Sequence, residues 1–313
     1  MKNTKYYKFK EANLMLKASN KLMFVLVFWL ACGNLLAGEK INKVLEVSAD
    51  AEVEVHNTRG NITIEGWDKN QVVVKGELDD LTEKFVFETN DNKTLIKVVL
   101  PNRNSNARSG SGSDLQIFMP KSGRLQFGGV STDIEVRKID KEVDISSVSG
   151  DVKLTNIQGK AYINSVSGDI AINGVADRLN ISTVSGDVDA KVSAQSIEVS
   201  GVSADIKVTT ETIEFAQIET VSGNTSLRGQ LTDTGSIRLS NVSGKSIYFS
   251  QAELNARIIL DTGPGGDIVN RISNHEPSRS FIGSEKLKFT LGQGSAQIRM
   301  STVSGDIELR PQN

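Results

Sequence analysis

From residue 130 onward, apolar and polar positions alternate in short runs that restart on a fixed beat. In the run Val148 to Asn156, Val148, Val152 and Leu154 share one parity, while Ser149, Asp151 and Lys153 share the other. Period-two alternation marks a strand with one buried face. The opening valine returns at Val130, Val148, Val166, Val184 and Val202, each 18 residues apart, and then at Val221, Val242 and Val303. A weaker echo starts nine residues in, at Ile157 after Val148 and at Val175 after Val166. Nine is odd, so each half must spend one residue at a corner. Asn156, Asn164, Asn173 and Gly201 fall at or near these slips, and both residue types tolerate positive φ.

No helical period runs through residues 38–313. Short parallel strands that repeat every 18 residues predict an all-β fold, a single-stranded right-handed β-solenoid (β-helix). A hexapeptide frame fails, because it would place Arg178 and Ser196 at aliphatic positions. Equal positions of successive coils would lie ~4.8 Å apart and form ladders. Val152, Ile170, Val188 and Ile206 make one internal aliphatic ladder, and Val148 is expected to face the core beside Val152 and Leu154. Each such burial contributes roughly 1.5–3 kcal/mol. The expected organisation is a signal segment at 1–37, an irregular β cap on the N-terminal side at 38–125, and the repeat region at 126–313. A polar Gly/Ser loop is expected at 102–114 and looser insertions at 250–295.

The repeated phrase invites a chemical reading. It stands as Val148-Ser149-Gly150-Asp151, Val166-Ser167-Gly168-Asp169, Val184-Ser185-Gly186-Asp187 and Val303-Ser304-Gly305-Asp306. Glycine permits a tight bend, and Ser and Asp can tie that bend down by bonding nearby backbone N–H groups. Stacked coils would also set Asp151, Asp169, Asp187 and Asp205 about 5 Å apart, where like charges repel, and a cation could relieve that. The phrase lacks the three glycines of the calcium-binding nonapeptide, and its acid gives way to Asn224 and Lys245. Turn formation is therefore the preferred reading, with no metal, cofactor or catalytic residue assigned. Asp261-Thr262-Gly263 has no second copy with an aliphatic lead, so the shared-proton pair of an aspartic protease is missing. The 2 histidines, His56 and His275, have no metal-ligand spacing, and no base accompanies the serines.

The N-terminus changes the picture of where the chain works. Six lysines precede an apolar run, Leu22 to Cys32, that is shorter than the ~20 residues a membrane span needs but suits a secretory signal. Cleavage is expected after Ala37, with lipid attachment at Cys32 as the lesser alternative. Loss of 1–37 removes six of 36 basic and one of 38 acidic residues, leaving a net charge of −7. That balance disfavours nucleic acid as a partner.

Behind this signal, the repeated Val-Ser-Gly-Asp units resemble the bacterial "putative adhesin" family, a domain family of unknown function, and are similar to head domains of some adhesins. The resemblance runs over about residues 40–310 and is most specific at 144–209; Ala204 and Lys245 depart from it. It implies an exported β-solenoid and brings no catalytic residues. The expectation is a non-enzymatic protein of the periplasm, envelope or cell surface. Its ladder faces would bind a protein or glycan, with no membrane span after signal removal. A self-assembling envelope protein, associating through an open C-terminal coil, is the first alternative, and a glycan-active β-helix enzyme the second.

Overall fold

Alternation at this period leaves the backbone one way to satisfy its hydrogen bonds, by pairing with the next repeat. The computed structural model describes residues 38–101, 110–175, 177–251 and 253–312. The expected signal segment, with Cys32, and most of the expected Gly/Ser loop fall outside the described residues. The central strands are β7 (Arg124–Arg137), β8 (Val143–Ser149), β9 (Val152–Ile157), β10 (Ala161–Ser167), β11 (Ile170–Val175), β12 (Arg178–Ser185), β13 (Val188–Val192), β14 (Ser196–Ser203), β15 (Ile206–Ser222) and β16 (Thr225–Ser243). From β7 to β14 they pair in parallel at a register of 18, Ile163 with Ile145 and Ile181, Ile170 with Val152 and Val188. The step becomes 19 where β14 pairs with β15 and 18 to 21 where β15 pairs with β16. Two ladders result. The first carries the strand before each Ser-Gly-Asp corner, and the second carries the strand after it.

The core lies between the ladders. Val152, Ile170, Val188 and Ile206 form a fully buried aliphatic row, in line with the alternation. Phe127, Ile145, Ile163, Ile181 and Val199 face them from the first ladder and are equally buried.

The plain single-stranded right-handed solenoid is not what forms. Among the described residues, nine parallel strands close into a β-barrel with further strands outside it, a β-helix-like arrangement. Features that the 18-residue beat does not carry account for the difference. Strands β7, β15 and β16 run 14, 17 and 19 residues and hydrogen-bond in both ladders, so the sheet turns corners without a break.

The order of strands in space also departs from the order in sequence. The upstream strands are β1 (Lys40–Glu46), β2 (Glu52–Trp67), β3 (Gln71–Glu77), β4 (Lys84–Asn90), β5 (Lys93–Val99) and β6 (Ser113–Pro120). β2 pairs with β7 on one side and with β5 and β6 on the other, all in parallel. The antiparallel strands β4, on β5, and β3, on β6, continue the sheet past these, and β1 pairs with β3.

At the far end lie β17 (Ser246–Ser250), β18 (Ala256–Thr262), β19 (Ile268–Asn270), β20 (Ser278–Arg279), β21 (Glu285–Thr290), β22 (Ala296–Ser304) and β23 (Ile307–Pro311). The closing phrase does not make the open last coil through which self-association is expected. β22 is hydrogen-bonded between β16 and β18, and β23 between β17 and β19. The stretch at 250–295 thus supplies a rung that lies beyond the phrase that follows it in sequence. β21 pairs antiparallel on β18 and covers that edge.

Candidate functional site

The Ser-Gly-Asp corners at Gly150, Gly168 and Gly186 are fixed twice over by their glycines. Gly168 has φ +118°, and a Cβ there would sit 2.2 Å from the carbonyl oxygen of Gly150 in the preceding repeat. Side chains other than hydrogen are excluded by conformation and by space. Of the expected corner asparagines, Asn156 takes positive φ at 55°, whereas at the next repeat Gly174 rather than Asn173 does so.

The aspartates bond across repeats. Asp133 Oδ1 accepts the backbone N–H of Asp151 at 2.9 Å, Asp151 that of Asp169 at 2.9 Å, Asp169 that of Asp187 at 2.9 Å, and Asp187 that of Asp205 at 3.1 Å. The series runs on through Asp205 to Asn224 and through Asn224 to Lys245, and Asp306 accepts the N–H of Asp267. The expected local bond is thus replaced by one to a residue 18 or more positions away, further on in the chain for all but Asp306. Lysine is tolerated at 245 because the position still donates its backbone N–H. Among the described residues no group of three or more His, Cys, Asp or Glu is placed to hold a metal ion.

Local bonds at the corner come from one residue earlier. The hydroxyls of Ser147, Ser165 and Thr183 are buried and donate to the carbonyls of Ser149, Ser167 and Ser185 at 3.4, 3.3 and 3.1 Å.

This placement corrects the reading of the repeated valine. On β8 the inward residues are Val143, Ile145 and Ser147, so Val148 points outward, and the Ser149–Asp151 corner then restores Val152 to the core. Val130, Val148, Val166, Val184, Val202, Val221, Val242 and Val303 are 44–58% exposed, in successive rungs of the first ladder. Eight rungs at ~4.8 Å make a surface row of about 34 Å. The buried corner hydroxyl allows this, because it holds the core-facing position that parity alone gives to valine. One signal was available in the sequence. Core positions drift between Val, Ile, Leu and Ala from repeat to repeat, but the phrase's valine does not vary, as though something other than filling space constrains it.

Beside the row runs a groove of about 620 Å³ near the N-terminal side of the ladder. Its floor carries the small uncharged residues Gly128, Ser146, Asn164 and Ser182, two positions before each valine, and its wall is Val130, Val148, Val166 and Val184. His56 and Lys97 close one end. His56 donates from Nε2 to Glu54 at 2.5 Å, and Lys93 bonds the same carboxylate at 2.6 Å. Lys93 first, and His56 second, hold the Glu54 carboxyl below its ordinary range. One row further out, burial and then Glu142 push the Asp144 carboxyl up.

The remaining motifs are absorbed into the sheet. Asp261 pairs with Lys286 at 3.0 Å, and Thr262 stacks in register on Thr302. His275 stacks on Phe289 with 4.5 Å between ring centroids. Buried Glu285 accepts the N–H of Ile268 at 2.7 Å and pairs with Arg279.

Fold and face define an all-β, β-helix-like protein whose repeats write one continuous outer row. The chain belongs to the family described as Toastrack DUF4097, whose model matches residues 43–245. Among curated proteins none matches it. Among solved structures it is similar to a "putative cell adhesion protein" from Clostridium sporogenes, at 10% identity over 88% of this chain and 100% of that one, with a TM-score of 0.28. It is also similar to a "putative adhesin" from Bacteroides fragilis, at 12% identity over 87% and 97%, with a TM-score of 0.40. A third, a "putative adhesin" from Parabacteroides merdae, shows 11% identity over 87% and 96%, with a TM-score of 0.38. No helix among the described residues is long and apolar enough to cross a membrane.

Proposed function

We propose that this protein is a non-enzymatic, exported module of the cell envelope or surface, of the "putative adhesin" kind, that works by contact through its first-ladder face. The observation that carries the reading is the row of eight half-exposed valines beside a floor of small uncharged residues. Contiguous apolar surface on that scale is characteristic of contact sites. Covering half of each valine would contribute on the order of 5–10 kcal/mol for the row, comparable with the roughly 4–15 kcal/mol cost of association. The polar rows alongside must then set specificity. The lysine-rich start, the apolar run at 22–32 and the acidic balance of residues 38–313 support export and a partner other than nucleic acid.

The test is capture of the chain by intact envelopes, comparing wild type with Val148→Glu/Val166→Glu. Loss of capture with unchanged thermal stability is expected. Equal capture by both would remove the face from the reading. Fractionation of cells carrying the chain with and without residues 1–37 checks export separately.

A further inference from the structure

We propose that the partner of the valine face is a second copy of this chain, laid face to face with its ladders running the opposite way. The proposal rests on the contact reading of that face and names its occupant.

Spacing is the first argument. A row with one valine per rung fits only an apolar surface of the same pitch along its whole length, and another copy supplies that pitch by construction. A two-fold axis along the strand direction, between Val184 and Val202, lays each row on its own counterpart with rung order reversed. Val184 then faces Val202 of the second copy, and Val130 faces Val303. Such a contact is isologous and closes at two copies.

Area is the second. Eight valines at 44–58% exposure offer on the order of 600 Å² per copy. The adjoining rows bring this near the ~800 Å² per partner of a stable interface.

Charge is the third. The row four residues before the valines carries Asp144 in its first half and Arg238 and Arg299 in its second. Reversal sets Asp144 opposite Arg238 and Gln126 opposite Arg299. In the row between, His56 meets Asp261. Glu198 and Glu219 meet the amides of Asn180 and Asn164, so no like charges face each other in these two rows within the eight valine rungs; one rung outside His56 and Asp261, Lys97 faces Lys286. Among the described residues Asp144, Arg238 and Arg299 form no ion pair within their own chain. A contact with both ladders running the same way gives none of these pairings.

Sedimentation velocity of the full chain across concentration tests the proposal. Wild type is expected to reach dimer mass, and Val184→Glu/Val202→Glu to weaken dimerisation at least 100-fold with an unchanged thermal melt. Val184→Ser/Val202→Ser serves the same purpose should the glutamates disturb folding. Asp144→Arg should weaken the dimer about tenfold or more, and Asp144→Arg/Arg238→Asp should restore it. A chain that stays monomeric at all concentrations overturns the proposal, as does a dimer indifferent to the valine variants or a charge swap that fails to restore. Envelope capture by the same valine variants is read independently. A monomer whose capture still needs the valines would leave the contact reading standing and remove only the second copy.

Discussion

Asp151 Oδ1 accepts the backbone N–H of Asp169 at 2.9 Å, which makes each repeated aspartate the anchor of the repeat that follows it. The carboxylate serves as an acceptor, and its charge is incidental to that bond. Asparagine does the same at 224, where Oδ1 accepts the N–H of Lys245 at 3.0 Å.

Asp151→Asn should therefore hold stability within ~0.5 kcal/mol, while Asp151→Ala should lose about 1 kcal/mol. Urea unfolding of the two variants checks this. An asparagine variant as damaged as the alanine variant would show that charge, and not acceptance, matters at the corner.

Gly168→Val forces a β-branched residue into φ +118° and a carbon to within 2.2 Å of the Gly150 carbonyl. A loss of at least about 3 kcal/mol is expected. Pairing it with Gly150→Val should strip the two ladders of a shared corner and broaden or abolish the melt. A double variant that melts like wild type would refute the stacked-glycine account.

Much of the architecture was legible because it is written in the period. The register of 18, the two strands per repeat and the buried row of Val152, Ile170, Val188 and Ile206 all follow from alternation. The barrel closure was not legible, because it depends on β15 and β16 crossing corners unbroken and on β22 and β23 entering between earlier and later rungs. These are long-range pairings that no local pattern encodes. The valine face was hidden for a different reason. Parity gives two possible inward sets at each corner, and Ser147, a polar residue, takes the buried one. Hydrophobicity alone selects Val148.

That inversion yields a direct contrast. Val148→Ser, at 49% exposure, should change stability by about 0.5 kcal/mol or less, whereas Ile170→Ala, at 1% exposure, should cost about 2–5 kcal/mol. Comparable losses at the two positions would contradict the assignment of faces.

Acid should act on the C-terminal strand through Glu308. Burial pushes this carboxyl up, but hydrogen bonds from Lys245, at 2.7 Å, and from Arg310 outweigh it and hold it below the ordinary glutamate range. A carboxyl lowered on folding adds stability above its unfolded value of about 4.3, and that stability drains away as pH falls through the folded value. Lys245 is itself partly exposed, so solvent weakens its share, and Arg310 remains when it is removed. Lys245→Met should consequently cost about 1–2 kcal/mol at neutral pH. The gap between variant and wild type should narrow as the pH falls below the ordinary glutamate range and through the lowered folded value, where Glu308 becomes protonated in both. Chemical unfolding at several pH values measures this, and a gap that stays constant from neutral to acid would mean that Lys245 contributes by packing and not by its charge.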